Sequence, residues 1–99
     1  MRVRISVIAE HVGRSCKGKI VFFDGCSIAA DAKEMRRFKQ LTGARAVCGY
    51  SRDADWIPSE AFALLLLYAL TRYESLARAE RWLRQHARGL CKHVGFVTF

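Results

Sequence analysis

Lys17–Ala30 reads KGKIVFFDGCSIAA, and the fold turns on this stretch. Ile20, Val21, Phe22 and Phe23 are consecutive apolar residues without polar alternation, the pattern of a strand covered on both faces. The run stops at Asp24-Gly25-Cys26-Ser27, and a helix-like segment follows. A strand ending this way presents its thiol at the carboxyl end of a sheet, where open α/β sheets place binding and reactive groups. Cys26 is therefore the candidate nucleophile. The same spacing also suits an inert thiol, because free cysteine is among the most buried residue types.

Downstream, Asp31 and Glu34 have the spacing of a capping box, with Asp in place of Ser or Thr. Met35, Phe38 and Leu41 with Thr42 then form one apolar stripe, opposite Lys33, Arg36, Arg37 and Lys39. Gly43 supplies a left-handed exit, and Arg45–Tyr50 (RAVCGY) reads as the next strand. Strand, helix and strand make a βαβ unit, which implies parallel pairing and a right-handed crossover. Upstream, Ser6–Val12 reads as a helix capped by Ser6, with Val3, Ile5 and Val7 as the alternate positions of a competing strand.

Ser51–Ile57 is a polar loop holding Asp53, Asp55 and Trp56. Pro58 fits the first turn of a helix that runs to about Arg72 and has Glu60 near its positive end. That helix is apolar nearly all round, which predicts cover on more than one side. Ser75 caps a last helix with Leu76, Ala79, Leu83, Ala87 and Leu90 facing inward. Arg78, Arg81, Gln85, Arg88 and Lys92 form its opposite stripe, Gly89 interrupts it, and Val94–Phe99 closes the chain as a strand. The predicted fold is α/β in the order α-β-α-β-α-α-β. Its core is a parallel sheet of three strands (19–24, 45–50 and 95–99) with helices on both faces.

Ninety-nine residues, 52% of them apolar, make a single domain spanning 1–99. Seventeen basic against nine acidic residues give a formal charge of +8, enough to attract polyanions weakly and without base readout. Cys16, Cys26, Cys48 and Cys91 lie far apart without the close pairs a zinc site uses, so no metal and no cofactor is expected. Met1-Arg2-Val3-Arg4-Ile5 lacks the apolar core of an export signal, which predicts free thiols in the cytoplasm. Ala61–Leu70, the longest apolar run, is far short of a membrane span.

Three segments, in this order, resemble the carboxyl-terminal half of the CHAT branch of caspase-like cysteine peptidases, in an uncharacterised bacterial subgroup. IVFFDGCS is similar to that family's nucleophile strand. GARAVCGYSRDADW resembles the next strand and its loop, and SEAFALLLLYAL with SLARAERWL resembles the two helices that follow. The resemblance implies a partial, three-layer caspase-like fold. It puts the nucleophile at Cys26 and the wall of the substrate groove at Tyr50, Arg52, Asp53, Asp55 and Trp56.

The family's catalytic histidine precedes the nucleophile strand within an H-G type motif. Here the only histidine before Cys26 is His11, in AEHVG, without that motif. His86 and His93 come later, on or near the basic last helix. The expectation is a peptidase-related domain that is inactive alone because the segment carrying the base is missing. A thiol near its ordinary pKa is only a few per cent ionised at neutral pH. Two alternatives stand beside it: a non-catalytic protein-interaction module, and a basic binder of polyanions through Arg78, Arg81, Arg88 and Lys92. The expected partners are a protein or peptide, a second copy paired through an open sheet edge, and nucleic acid bound weakly, but no membrane. Asp53 and Asp55 also have a plainer reading as a solvated loop in which Asp55 or Ser59 caps the next helix.

Overall fold

The computed structural model describes residues 5–24, 28–53 and 55–99. In chain order these form α1 (Ile5–Val12), β1 (Ile20–Phe23), α2 (Ala32–Thr42), β2 (Ala46–Tyr50), α3 (Trp56–Arg72), α4 (Leu76–His86), α5 (Arg88–Val94) and β3 (Phe96–Thr98). Single turns of 3-10 helix lie at Gly13–Cys16 and Ile28–Ala30. The result is an α/β fold of five helices around a small mixed sheet in the order β1-β2-β3.

The βαβ unit forms as its sequence pattern dictates. Asp31 accepts from the Glu34 N–H at 3.2 Å and caps α2. Met35, Phe38 and Thr42 turn inward, while Leu41 is exposed, so the stripe ends on Thr42. The Thr42 hydroxyl donates to the Phe38 carbonyl at 2.8 Å and accepts from the Ala44 N–H at 3.3 Å, which closes the exit of the helix. β1 and β2 then pair in parallel, Ile20 opposite Ala46 and Phe23 opposite Gly49.

The third strand corrects the expected all-parallel sheet. β3 runs antiparallel to β2, with Tyr50 opposite Phe96 and Cys48 opposite Thr98. The cause is the path of the chain between the two strands. α3 carries the chain back to the amino edge, where Arg45 Nη2 donates to the Glu74 carbonyl at 3.4 Å. The later helices return it to the carboxyl edge, where the Ser51 N–H donates to the Gly95 carbonyl at 2.8 Å. A strand that starts at the carboxyl edge can only run antiparallel.

Side chains on the strands alternate between two packed layers. Ile20, Phe22, Cys48, Tyr50 and Phe96 belong to the core beneath α3, α4 and α5. Val21, Phe23, Val47 and Val97 belong to the core beneath α1 and α2, where Phe23 meets Phe38 edge-on at 5.0 Å. Helices thus cover both faces, as the continuous apolar strands require.

Two further expectations change. The break in the last helix falls at Ala87 (φ −134°, ψ 40°), and Gly89 sits inside α5. Restarting the helix there swings Cys91 and Val94 into the core. α3 is covered on one side only: Phe62, Ala63, Leu66 and Ala69 are buried, and the opposite face meets solvent. The N-terminal segment takes the helical reading, not the strand, but α1 already includes Ile5, so Ser6 lies inside the helix and not at its cap.

Candidate functional site

The carboxyl ends of β1 and β2 lie side by side, and β2 leads there into the loop before α3. Tyr50 ends β2 as a core residue with 1% of its surface exposed. Its ring packs edge-on against Phe22 (5.5 Å) and Phe62 (5.8 Å), and its hydroxyl donates to the Ser59 carbonyl at 3.0 Å. Burial, and then the nearby Asp24 carboxylate, push the Tyr50 hydroxyl well above its usual pKa. Tyr50 therefore stands behind this surface as its support and does not line a groove.

Ser51 and Arg52 tie the loop to the end of α5. The Ser51 hydroxyl donates to the Gly95 carbonyl at 2.7 Å, and Arg52 Nη1 donates to the Lys92 carbonyl at 3.3 Å. Gly95 has φ of 64°, and a Cβ there would run into Ser51 Oγ and come within 2.7 Å of Arg52 Cγ. Only glycine permits this closure.

Asp55 occupies the N-cap position of α3 without a side-chain capping bond, and Ser59 donates to the Trp56 carbonyl at 2.8 Å. The Asp55 N–H donates to His93 Nε2 at 3.4 Å, and its carboxylate lies 3.8 Å from the same nitrogen. Asp53 and Arg52 are exposed. Of the sequence-derived groove wall, Arg52, Asp53, Asp55 and Trp56 are each exposed and Tyr50 is buried. The candidate nucleophile, Cys26, lies outside the described residues.

The histidines fall in three places. His11 is in the last turn of α1, its Nδ1 2.9 Å from the Val7 carbonyl, and the turn after it sets Arg14 against Gly43 at the amino end of β2. His86 stacks on Trp82 at 4.8 Å on α4. His93 alone stands at the carboxyl edge, across 38 positions of sequence from Asp55, a separation no local motif reveals. Cys48 is an inert core thiol, pushed up to about 12 by burial.

Beyond Asp55, the outer side of α3 is the most apolar exposed surface of the described chain. Trp56 is 76% exposed, Ile57 71%, Leu64 70%, Leu67 57% and Tyr68 48%. Ile57, Leu64 and Tyr68 recur at helical spacing with Leu67 beside them, so they form a stripe along one face. Tyr68 continues it onto α4 through Trp82, 5.4 Å away. The sequence carried the signal for this face, an all-round apolar helix, but not the fact that one side is left open.

Residues 2–99 match a family described as a family of unknown function (DUF6642). No curated protein and no solved structure matches the chain.

Proposed function

We propose that this chain, which belongs to the DUF6642 family, is a protein-interaction module on a caspase-like scaffold whose partner is a second copy of itself. The observation that carries this reading is the apolar outer face of α3. Large exposed apolar patches on a folded domain mark contact surfaces. The face is also self-complementary in charge. Glu60 and Arg72, both exposed, flank the stripe from its two ends, about 18 Å apart along the helix. A two-fold through the middle of the stripe packs Leu64 against Tyr68 of the other copy and brings each Glu60 near the opposing Arg72. Few of the cations behind the +8 charge lie on this helix, so two copies meet here without opposing like charges.

The caspase-like part of the reading rests on the quoted motifs and their order. The parallel β1–β2 pair with helices on both faces is in keeping with it. Such a scaffold, with free thiols at Cys16, Cys48 and Cys91, suits a reducing cytoplasm, and no described helix is long and apolar enough to cross a membrane. The chain alone is expected to hydrolyse no peptide.

Sedimentation velocity across a wide concentration range tests the module. The wild-type chain should dimerise, and Leu64→Glu with Leu67→Glu should return it to monomer with unchanged circular dichroism. A wild-type monomer at the highest concentration, or a dimer that survives both substitutions, overturns the proposal.

One observation favours a second reading, cysteine-dependent hydrolysis: an imidazole, His93, stands at the carboxyl edge, where open α/β sheets place reactive groups, with its Nε2 accepting from the Asp55 N–H. Turnover of a fluorogenic peptide that is lost in both Cys26→Ala and His93→Gln would establish this reading. No turnover by the wild-type chain would remove it.

A further inference from the structure

α4 and α5 enclose a hollow of about 370 Å³ lined by Arg84, Arg88, Cys91 and Lys92. It lies apart from the α3 face, and three of its four lining residues are cations. The arrangement is more than a crowded basic surface, because one cation is held in place. Arg84 donates to Glu80 Oε2 through Nε (3.0 Å) and Nη2 (2.8 Å), and Nη2 also donates to the Phe96 carbonyl at 3.0 Å. Its ring-side support is Phe96, 5.9 Å beneath the guanidinium.

The carboxylate that could compete for the site is already engaged. Glu80 Oε2 is taken by Arg84, and Oε1 accepts from the Thr98 hydroxyl at 3.0 Å. Glu80 therefore fixes Arg84 without reaching the other two cations. Arg88 and Lys92 stand one helical turn apart on α5 and are exposed. Neither side chain has a hydrogen-bond or salt-bridge partner among the described residues. Cys91, buried and kept neutral by its burial, floors the hollow between them.

Two cations without partners, lining one hollow with a prepositioned guanidinium whose Nη1 makes no hydrogen bond among the described residues, suit a compact oxyanion with several acceptor oxygens. Arginine offers planar forks of donors to phosphate and lysine a point charge. Holding Arg84 in advance lowers the ordering cost of binding. We propose that this hollow binds a phosphate group, carried by a small phosphorylated molecule or by a polynucleotide backbone.

The two sources share the chemistry and separate on measurement. Pyrophosphate binding would be followed by calorimetry and by the rise in Tm, and a short oligothymidine by fluorescence anisotropy. Arg88→Glu and Lys92→Glu are exposed changes that should leave the spectrum of the fold intact, with Arg88→Gln as a milder companion. Arg37→Glu, on α2 and away from the hollow, makes the same change in net charge. The expected result is binding weakened about tenfold or more by Arg88→Glu and Lys92→Glu, with Arg37→Glu close to wild type. A response to pyrophosphate marks a small phosphorylated ligand. A response to oligothymidine alone, with the same sensitivity at Arg88, marks a backbone. Equal loss in Arg37→Glu and Arg88→Glu, or no binding of either probe, overturns the site.

Discussion

Gly95 shows how much can rest on one residue without a side chain. Its left-handed backbone ends α5, and its missing Cβ leaves room for the Ser51 hydroxyl. Gly95→Ala should cost about 2 kcal/mol or more, from backbone strain together with the clash, measured as a fall in denaturant midpoint. Cys48 and Tyr50 make a second prediction at this scale. Both are acids that burial holds neutral in the folded chain, so their folded pKa values lie above the unfolded ones. The stability they contribute is complete below the unfolded values and is lost as pH rises toward the folded ones. Stability should therefore decline from about pH 9 up to about 12, the span over which the Cys48 thiol is raised. Cys48→Ala should flatten part of that decline in an alkaline unfolding series. Two caps were the residue-level signals legible in sequence, whereas Ser6 falls inside α1 and Asp55 makes no side-chain capping bond. Asp31 and Ser75 both accept from the backbone N–H three residues on, as their positions foretell. His93 was not legible, because its meeting with Asp55 is made by the return of α5.

α3 is the element on which sequence and structure diverge most usefully. Its apolar pattern alone cannot distinguish a helix enclosed by its own chain from one that leaves a face for another molecule. Leu66 and Leu64 separate the two sides. Leu66→Ala, in the core, should cost about 2–5 kcal/mol, whereas Leu64→Ala should change stability by only about 0.5 kcal/mol. Thermal unfolding of dilute, monomeric protein would measure both. Comparable costs would mean that the outer face is covered within a single chain. The split between α4 and α5 was foreseen, but its position was not. Gly89 is the poorer helix former, yet the chain turns at Ala87, because the break must fall where Cys91 and Val94 can reach the core. Packing overrides propensity at that point.

For the molecule as a whole, charge supplies a test that separates its two surfaces. A body of net charge +8 repels its own copies, and salt screens that repulsion. Dimerisation through α3 should strengthen from low to moderate salt, while phosphate binding at Arg84, Arg88 and Lys92 should weaken over the same range. Sedimentation and calorimetry in one salt series would show the opposite slopes. Slopes of the same sign would mean that both events use the basic surface. The sequence by itself determined the α/β class, the parallel β1–β2 pair, the inward face of α4 and, Leu41 apart, that of α2. Those follow from local periodicity, capping and the short crossover between the first two strands. Only the tertiary structure decided the antiparallel third strand, the open side of α3, the encounter of His93 with Asp55 and the cationic hollow. Each of these depends on where three successive helices deliver the chain in space, and no local pattern of residues encodes that sum.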